Sequence, residues 1–308
     1  MHWGSWALAL TGLLQGASSA SLQQVTEDFG PNPRNSSFFI YVPDKLAPKP
    51  PVLLFPHWCH GSALDAFEGE TYPALADQYG FIVIYPNSSN TVDMCWDVSS
   101  PETLTHEGGG DSLGLVSMVR WALKKYNGDR DRVFVSGVSS GAMMTTTLLG
   151  AYPDVFAAGS AWAGVPFGCF AADGYDVWSD GCAAGNITHS GATWASLVHA
   201  AYPGYRGWRP KHQILHGTID ETLNYTVFGQ EIKQWTSVFG YSEKPTHTIL
   251  NTPLTNWTRT VYGDNDWFEA YSAWNITHNI PYQIDVAMAW FDLACTTGDC
   301  FHWGQEHY

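Results

Sequence analysis

A chain of 308 residues that is 45% apolar and only 14% charged can bury a large core, and its length is near the upper end for one domain. A net charge of −15 with no run of Lys or Arg excludes the basic footprint that nucleic-acid binding needs. Past residue 20 no stretch approaches the roughly 20 apolar residues of a membrane-spanning helix.

The opening MHWGSWALALTGLLQGASSA has an apolar centre from Trp6 to Leu14 and ends in small residues. That pattern predicts a secretory signal cleaved after Ala20, although its leading residues lack Lys and Arg. Sequons at Asn35, Asn87, Asn186, Asn224, Asn256 and Asn275 fit a glycosylated, extracellular protein. Six cysteines, an even number, fit disulfides formed in an oxidising compartment. Residues 21–293 are expected to form one domain, and 294–308 a short tail.

Strands are predicted at Ser36 to Val42 and at Pro51 to Phe55, the second delivering His57-Trp58-Cys59-His60-Gly61-Ser62. A helix follows at Tyr72 to Tyr79, then a buried strand at Phe81 to Tyr85. Asp111 to Lys125 places Leu115, Met118, Val119 and Ala122 on one helical face, with Asp111 near the positive end of the helix dipole. Further strands are read at Val155 to Ala163 and Gln213 to His216, and helices at Trp194 to Ala201, Gln230 to Phe239 and Asp285 to Leu293. The alternation predicts an α/β fold with a mostly parallel sheet and helices on both faces.

The stretch from Arg132 to Gly150, RVFVSGVSSGAMMTTTLLG, joins an apolar strand to a helix at Ala142 to Leu149 through Gly137-Val138-Ser139-Ser140-Gly141. A lone G-x-S-x-G is a common accident, but strand, sharp turn and helix are the context of a nucleophile elbow, in which flanking glycines relieve crowding around an exposed serine. Ser139 is the candidate nucleophile. Such a serine needs a base, and the base needs an orienting carboxylate, in the chain order Ser, Asp or Glu, His. Ile214-Leu215-His216-Gly217-Thr218-Ile219-Asp220 runs from strand to polar loop, which makes Asp220 the candidate acid and Glu221 a solvated competitor. His278, just before the closing helix, is the candidate base. His247 lies in a Pro/Thr-rich connection, His302 and His307 lie in the polar tail, and His216 is expected to brace the acid loop by hydrogen bonds.

The developing oxyanion needs preorganised N–H donors. Ser140 follows the nucleophile and supplies one by position, and Cys59 in the early strand-loop is the second candidate. His57, Cys59 and His60 could instead suggest metal ligands, with His302, Glu306 and His307 as another cluster; the latter is neither H-E-x-x-H nor H-x-x-E-H, so its spacing fails, and no metal or cofactor is expected. Cys59 and Cys95 should meet at the carboxyl edge of the sheet. Cys169 and Cys182 bracket a Gly/Asp-rich insertion that needs a clasp, and Cys295 and Cys300 enclose a four-residue turn. The expected disulfides are therefore Cys59–Cys95, Cys169–Cys182 and Cys295–Cys300.

Across nearly all of the mature chain, SLQQV, HWCHGSA, GFIVIYP, CWDVSS, GGGDS, GVSSGAMMT, AGVPFGCF, AYPGY, RPKHQILHGTID and the late H-N-I-P occur in that order. In these the chain resembles fungal carbohydrate esterase family 1, that is acetylxylan esterases and type B feruloyl esterases, and more distantly polyhydroxybutyrate depolymerases. The resemblance implies a secreted α/β-hydrolase that removes acyl groups from xylan through Ser139, Asp220 and His278, with Cys59 and Ser140 at the oxyanion, and coincides with the residue-level choices. Two features depart from it. Thr277 precedes His278 where acetylxylan esterases of the family typically have Gly, and the loop from Gly61 to Glu68 differs from the usual T-G-T-A continuation. The tail is too short for the carbohydrate-binding module that many relatives append.

Acetylxylan esterase is thus the expected function, with feruloyl esterase as the alternative. Another carboxylic ester hydrolase, an acyltransferase on the same fold and an inactive sugar-binding relative are remoter readings. The expected partner is acylated xylan, and the expected state is a monomer that binds neither nucleic acid nor membrane.

Overall fold

The structure, a computed structural model that describes residues 20–304, begins with β1 (Gln23–Val25), β2 (Ser37–Tyr41) and β3 (Val52–Leu54). Next come α1 (Ala63–Gly69), α2 (Tyr72–Tyr79), β4 (Ile82–Asn87), α3 (Pro101–Leu104), α4 (Gly110–Tyr126), β5 (Val133–Val138) and α5 (Ser140–Ala151). β6 (Ala158–Trp162), α6 (Asp180–Ala183), α7 (Gly191–Ala201), β7 (Lys211–Gly217) and α8 (Thr226–Phe239) follow, and β8 (His247–Leu250), β9 (Trp257–Tyr262), β10 (Phe268–Ala273) and α9 (Ile284–Phe291) complete the order. All but the last residue of the expected signal, and His307, lie outside the described residues.

Ten strands hydrogen-bond in the order β1-β2-β4-β3-β5-β6-β7-β10-β9-β8. The run from β4 to β10 is parallel. Antiparallel β2 and β1 flank it on one side, β9 and β8 on the other. β3 and β6 are buried along their whole length, as expected of parallel strands covered on both faces. One face carries Leu115, Met118, Leu148, Trp194 and Trp235, from α4, α5, α7 and α8. The other carries Phe55, Tyr72, Phe134 and Phe291, packed under α2 and α9.

The sheet order also fixes where a ligand can enter. β4 takes one side of β3 and β5 the other, so the chain reverses its direction of travel across the sheet. Connections leaving the carboxyl ends of β3 and β5 therefore diverge and open a crevice between them.

Local chemistry accounts for most boundaries. α2 stops at Gly80, whose φ of 77° is left-handed and whose N–H closes onto the Ala76 carbonyl. α1 was not expected from the sequence, yet Ser62 caps it, accepting from the Asp65 N–H at 3.1 Å. The largest difference from expectation is residues 247–273, which are three antiparallel strands, and His247 opens one of them. All four residues of β8 are exposed and the middle of β9 is Thr-Arg-Thr, so this edge lacks the apolar pattern by which strands are recognised.

Candidate active site

The elbow lies at the end of β5. Ser139 has φ 56° and ψ −121°, a backbone conformation that a non-glycine residue holds only when its surroundings over-determine it. The surroundings are close: a Cβ on Gly137 would lie 2.5 Å from the Gly141 carbonyl carbon, and one on Gly141 would lie 2.1 Å from the Pro56 carbonyl oxygen. Only glycine fits either place. The turn is pinned by Ser139 N–H donating to the Trp162 carbonyl on β6 at 2.9 Å, while the Ser139 carbonyl accepts from Met143 in the first turn of α5.

His278 Nε2 lies 2.8 Å from Ser139 Oγ, and His278 Nδ1 lies 2.8 Å from Asp220 Oδ2. With Nδ1–H donating to the carboxylate, Nε2 is left as the acceptor of the serine proton. Asp220 occupies the loop after β7. Its Oδ1 accepts from the N–H groups of Thr222 and Leu223 at 2.9 and 2.7 Å, and its Oδ2 also faces His216 Nε2 at 3.2 Å. Burial alone would push the Asp220 carboxyl up, but the His216, His278 and Leu223 hydrogen bonds outweigh it and hold the group well below the usual carboxylate range. His216 is buried and donates from Nε2 to the Leu223 carbonyl, so it braces the loop from within.

Glu221, the competing carboxylate, is exposed and accepts the backbone N–H of His278 at 3.1 Å. It steadies the loop that carries the imidazole, a role not read from the sequence. The same two loops are laced by Asn275 N–H to Thr218 Oγ1 and Ile219 N–H to the Ile276 carbonyl.

Across the crevice, the loop after β3 brings Cys59 to the cavity that holds Ser139 and His278, with a volume of ≈ 590 Å³. Cys59 is joined to Cys95 with Cα atoms 4.2 Å apart, and Cys169–Cys182 and Cys295–Cys300 are joined likewise. His57 underpins this loop: fully buried, it donates from Nδ1 to the Trp58 carbonyl at 2.7 Å and accepts the Ser88 N–H on Nε2 at 3.1 Å. Burial pushes the His57 imidazole down, which keeps it neutral in those paired roles. Ser140 Oγ accepts from the Trp96 N–H, and the Trp96 indole donates to the His57 carbonyl, each at 2.8 Å. His57 and Trp96 were not singled out beforehand as a brace, because their partners are 31 and 44 residues away in sequence.

Of the groups dense enough in Cys, His and carboxylates to hold a cation, the one among the described residues is Asp292, Cys295 and Cys300, whose cysteines are already bonded to each other. Five sequon asparagines are exposed. Asn87 differs: it is half-buried, its Oδ1 accepts from Ala63 N–H and its Nδ2 donates to the Ser88 carbonyl.

This geometry can pass a proton from serine to imidazole beside a shaped cavity. The family model for esterase PHB depolymerase matches residues 36–245. Acetylxylan esterase A of Aspergillus oryzae is 48% identical over 276 residues, which is 89% of each chain. Feruloyl esterase B of Talaromyces funiculosus is 44% identical over 293 residues, 94% of this chain and 82% of that one. Among solved structures, the acetyl xylan esterase from Aspergillus awamori superposes with a TM-score of 0.85 at 45% identity, covering 89% of this chain and all of the other. Sheet order, elbow and matched span agree, and the chain belongs to the esterase PHB depolymerase family of α/β-hydrolases.

Proposed function

We propose that this protein is an extracellular serine esterase that removes acetyl groups from xylan. The observation that carries the reading is the unbroken line Ser139–His278–Asp220, with 2.8 Å at each step, opening into a cavity beside Cys59. His278 Nε2 takes the serine proton as Oγ attacks the ester carbonyl, and the N–H groups of Cys59 and Ser140 receive the oxyanion. Collapse breaks the bond from the acyl carbon to the sugar oxygen, which takes that proton and departs as a hydroxyl, leaving an acyl-serine. Water, deprotonated by the same nitrogen, then releases the acid and restores Ser139.

A second reading, feruloyl esterase, is favoured by the cavity, which is far larger than an acetyl group requires and is bordered by Trp58, Trp178 and Tyr282. The similarity to feruloyl esterase B supports it equally. Initial rates on acetylated xylan beside methyl ferulate decide between them. Faster release of acetate supports the first reading and faster release of ferulate the second, whereas no acid from either substrate would sink both.

A further inference from the structure

Glu70 is the C-cap residue that follows α1, and it lines the same cavity as Ser139, His278 and Tyr282. It is half-buried, yet among the described residues no hydrogen bond or ion pair reaches its carboxyl. The phenols whose field it enters are Tyr72, Tyr85 and Tyr282. Two of these are satisfied without it: Tyr72 and Tyr282 share a 2.6 Å hydrogen bond, and Tyr282 meets Ser136 Oγ at 2.8 Å. The third, Tyr85, is buried with its hydroxyl unpartnered, so no hydrogen bond to these phenols offsets the cost of a partly desolvated carboxyl. In a catalytic cavity such a group is poised for a ligand. Burial pushes it up to about 7, which makes it a donor and acceptor on one side of neutrality and an acceptor alone on the other.

Resting on the esterase reading above, we propose that Glu70 is a specificity-determining residue whose carboxyl hydrogen-bonds a hydroxyl group of the bound ester. Its neighbours in the cavity include Val138, Met143 and Ile280, which can only exclude water, so Glu70 supplies direction where they supply area. A hydroxyl suits both protonation states of the carboxyl, since it can donate to either and accept from the neutral form. A substrate carboxylate would be repelled once Glu70 ionises. The hydroxyl can belong to the sugar or to a phenolic acyl group, and matched substrates separate the two.

Initial rates on two ester pairs provide the test: methyl ferulate against its phenol O-methyl ether, and a methyl xyloside monoacetate against the same acetate with its free hydroxyls O-methylated. Within each pair only hydroxyls differ, so the ratio of kcat/KM values cancels the titration of the shared His278. Glu70→Leu is expected to lower that ratio by about tenfold, the scale of one lost hydrogen bond. The pair that responds identifies the source, and a response in both assigns both. The wild-type ratio should rise from about pH 5 to about pH 8 as the carboxylate becomes the stronger acceptor, and Glu70→Gln, of the same shape, should flatten it. The other titratable groups at the cavity are His60, Asp93 and His278, while Tyr72, Tyr85 and Tyr282 are pushed up by burial and stay neutral over that range. Ratios within about twofold of wild type for Glu70→Leu in both pairs, or a Glu70→Gln ratio that still rises with pH, would overturn the proposal. Should the leucine variant fail to fold, the glutamine variant decides alone. A wild-type protein inactive on all four esters would instead remove the esterase reading.

Discussion

The N–H of Trp96 donates to the hydroxyl of Ser140 across 2.8 Å, in a region closed to solvent. Cys95 precedes Trp96 and is bonded to Cys59, so the two proposed oxyanion donors are carried on residues tied together through one short stretch. Ser140→Ala would leave the buried Trp96 N–H without its acceptor. It is expected to lower stability by about 1–3 kcal/mol in urea denaturation and to lower kcat with little change in KM. Unchanged stability would show that the hydrogen bond carries no weight.

Cys95→Ser removes the other half of that tie. The loop that presents the Cys59 N–H should lose its preorganisation, and loss of one oxyanion donor typically costs about 10² to 10³ in kcat. Steady-state kinetics should show kcat falling further than KM rises. A variant with wild-type kcat would detach the disulfide from catalysis.

Ser139→Ala is expected to abolish ester hydrolysis while leaving secretion intact, and Asp220→Asn or His278→Ala to cost on the order of 10³-fold or more in kcat. Asp220 adds a pH signature. Its folded pKa is depressed, so the stability it contributes is present above its unfolded value, about 3.9, and is lost as pH falls below it. The stability gap between wild type and Asp220→Asn should accordingly be widest near neutrality and shrink below about pH 4. A gap that widens in acid would contradict the proposed ionised state.

Glu231 on α8 titrates with the opposite sign. It is 1% exposed, its Oε1 has no hydrogen-bond partner, and burial pushes it up to about 8. A carboxyl raised in the folded state costs nothing below its unfolded value, about 4.3, and destabilises increasingly as pH rises towards the folded value. Glu231→Gln should therefore stabilise the protein by about 2 kcal/mol or more at pH 8 and by far less at pH 5, as read by thermal melts at the two pH values. An equal effect at both would show that ionisation is not the cause.

What the sequence determined by itself is what short-range sterics and periodicity encode. The glycines at 137 and 141 around Ser139 were legible because an elbow constrains neighbouring residues, whereas Asp220 and His278 were chosen from the expected chain order of acid and base and not from local sterics. The long helix at Gly110–Tyr126 was legible, as Asp111 to Lys125, from its apolar face. What only the tertiary structure decided is which distant polar groups meet. Tyr72 bonds Tyr282 across 210 residues, Glu221 holds the His278 N–H across 57, and Glu70 faces the cavity of a serine 69 positions later. The exposed β8 edge was hidden for a related reason: its register is set by hydrogen bonds to β9 rather than by side-chain burial. A buried donor or acceptor takes whatever partner the sheet order brings to it, and that order depends on the packing of the whole chain rather than on any local run of residues.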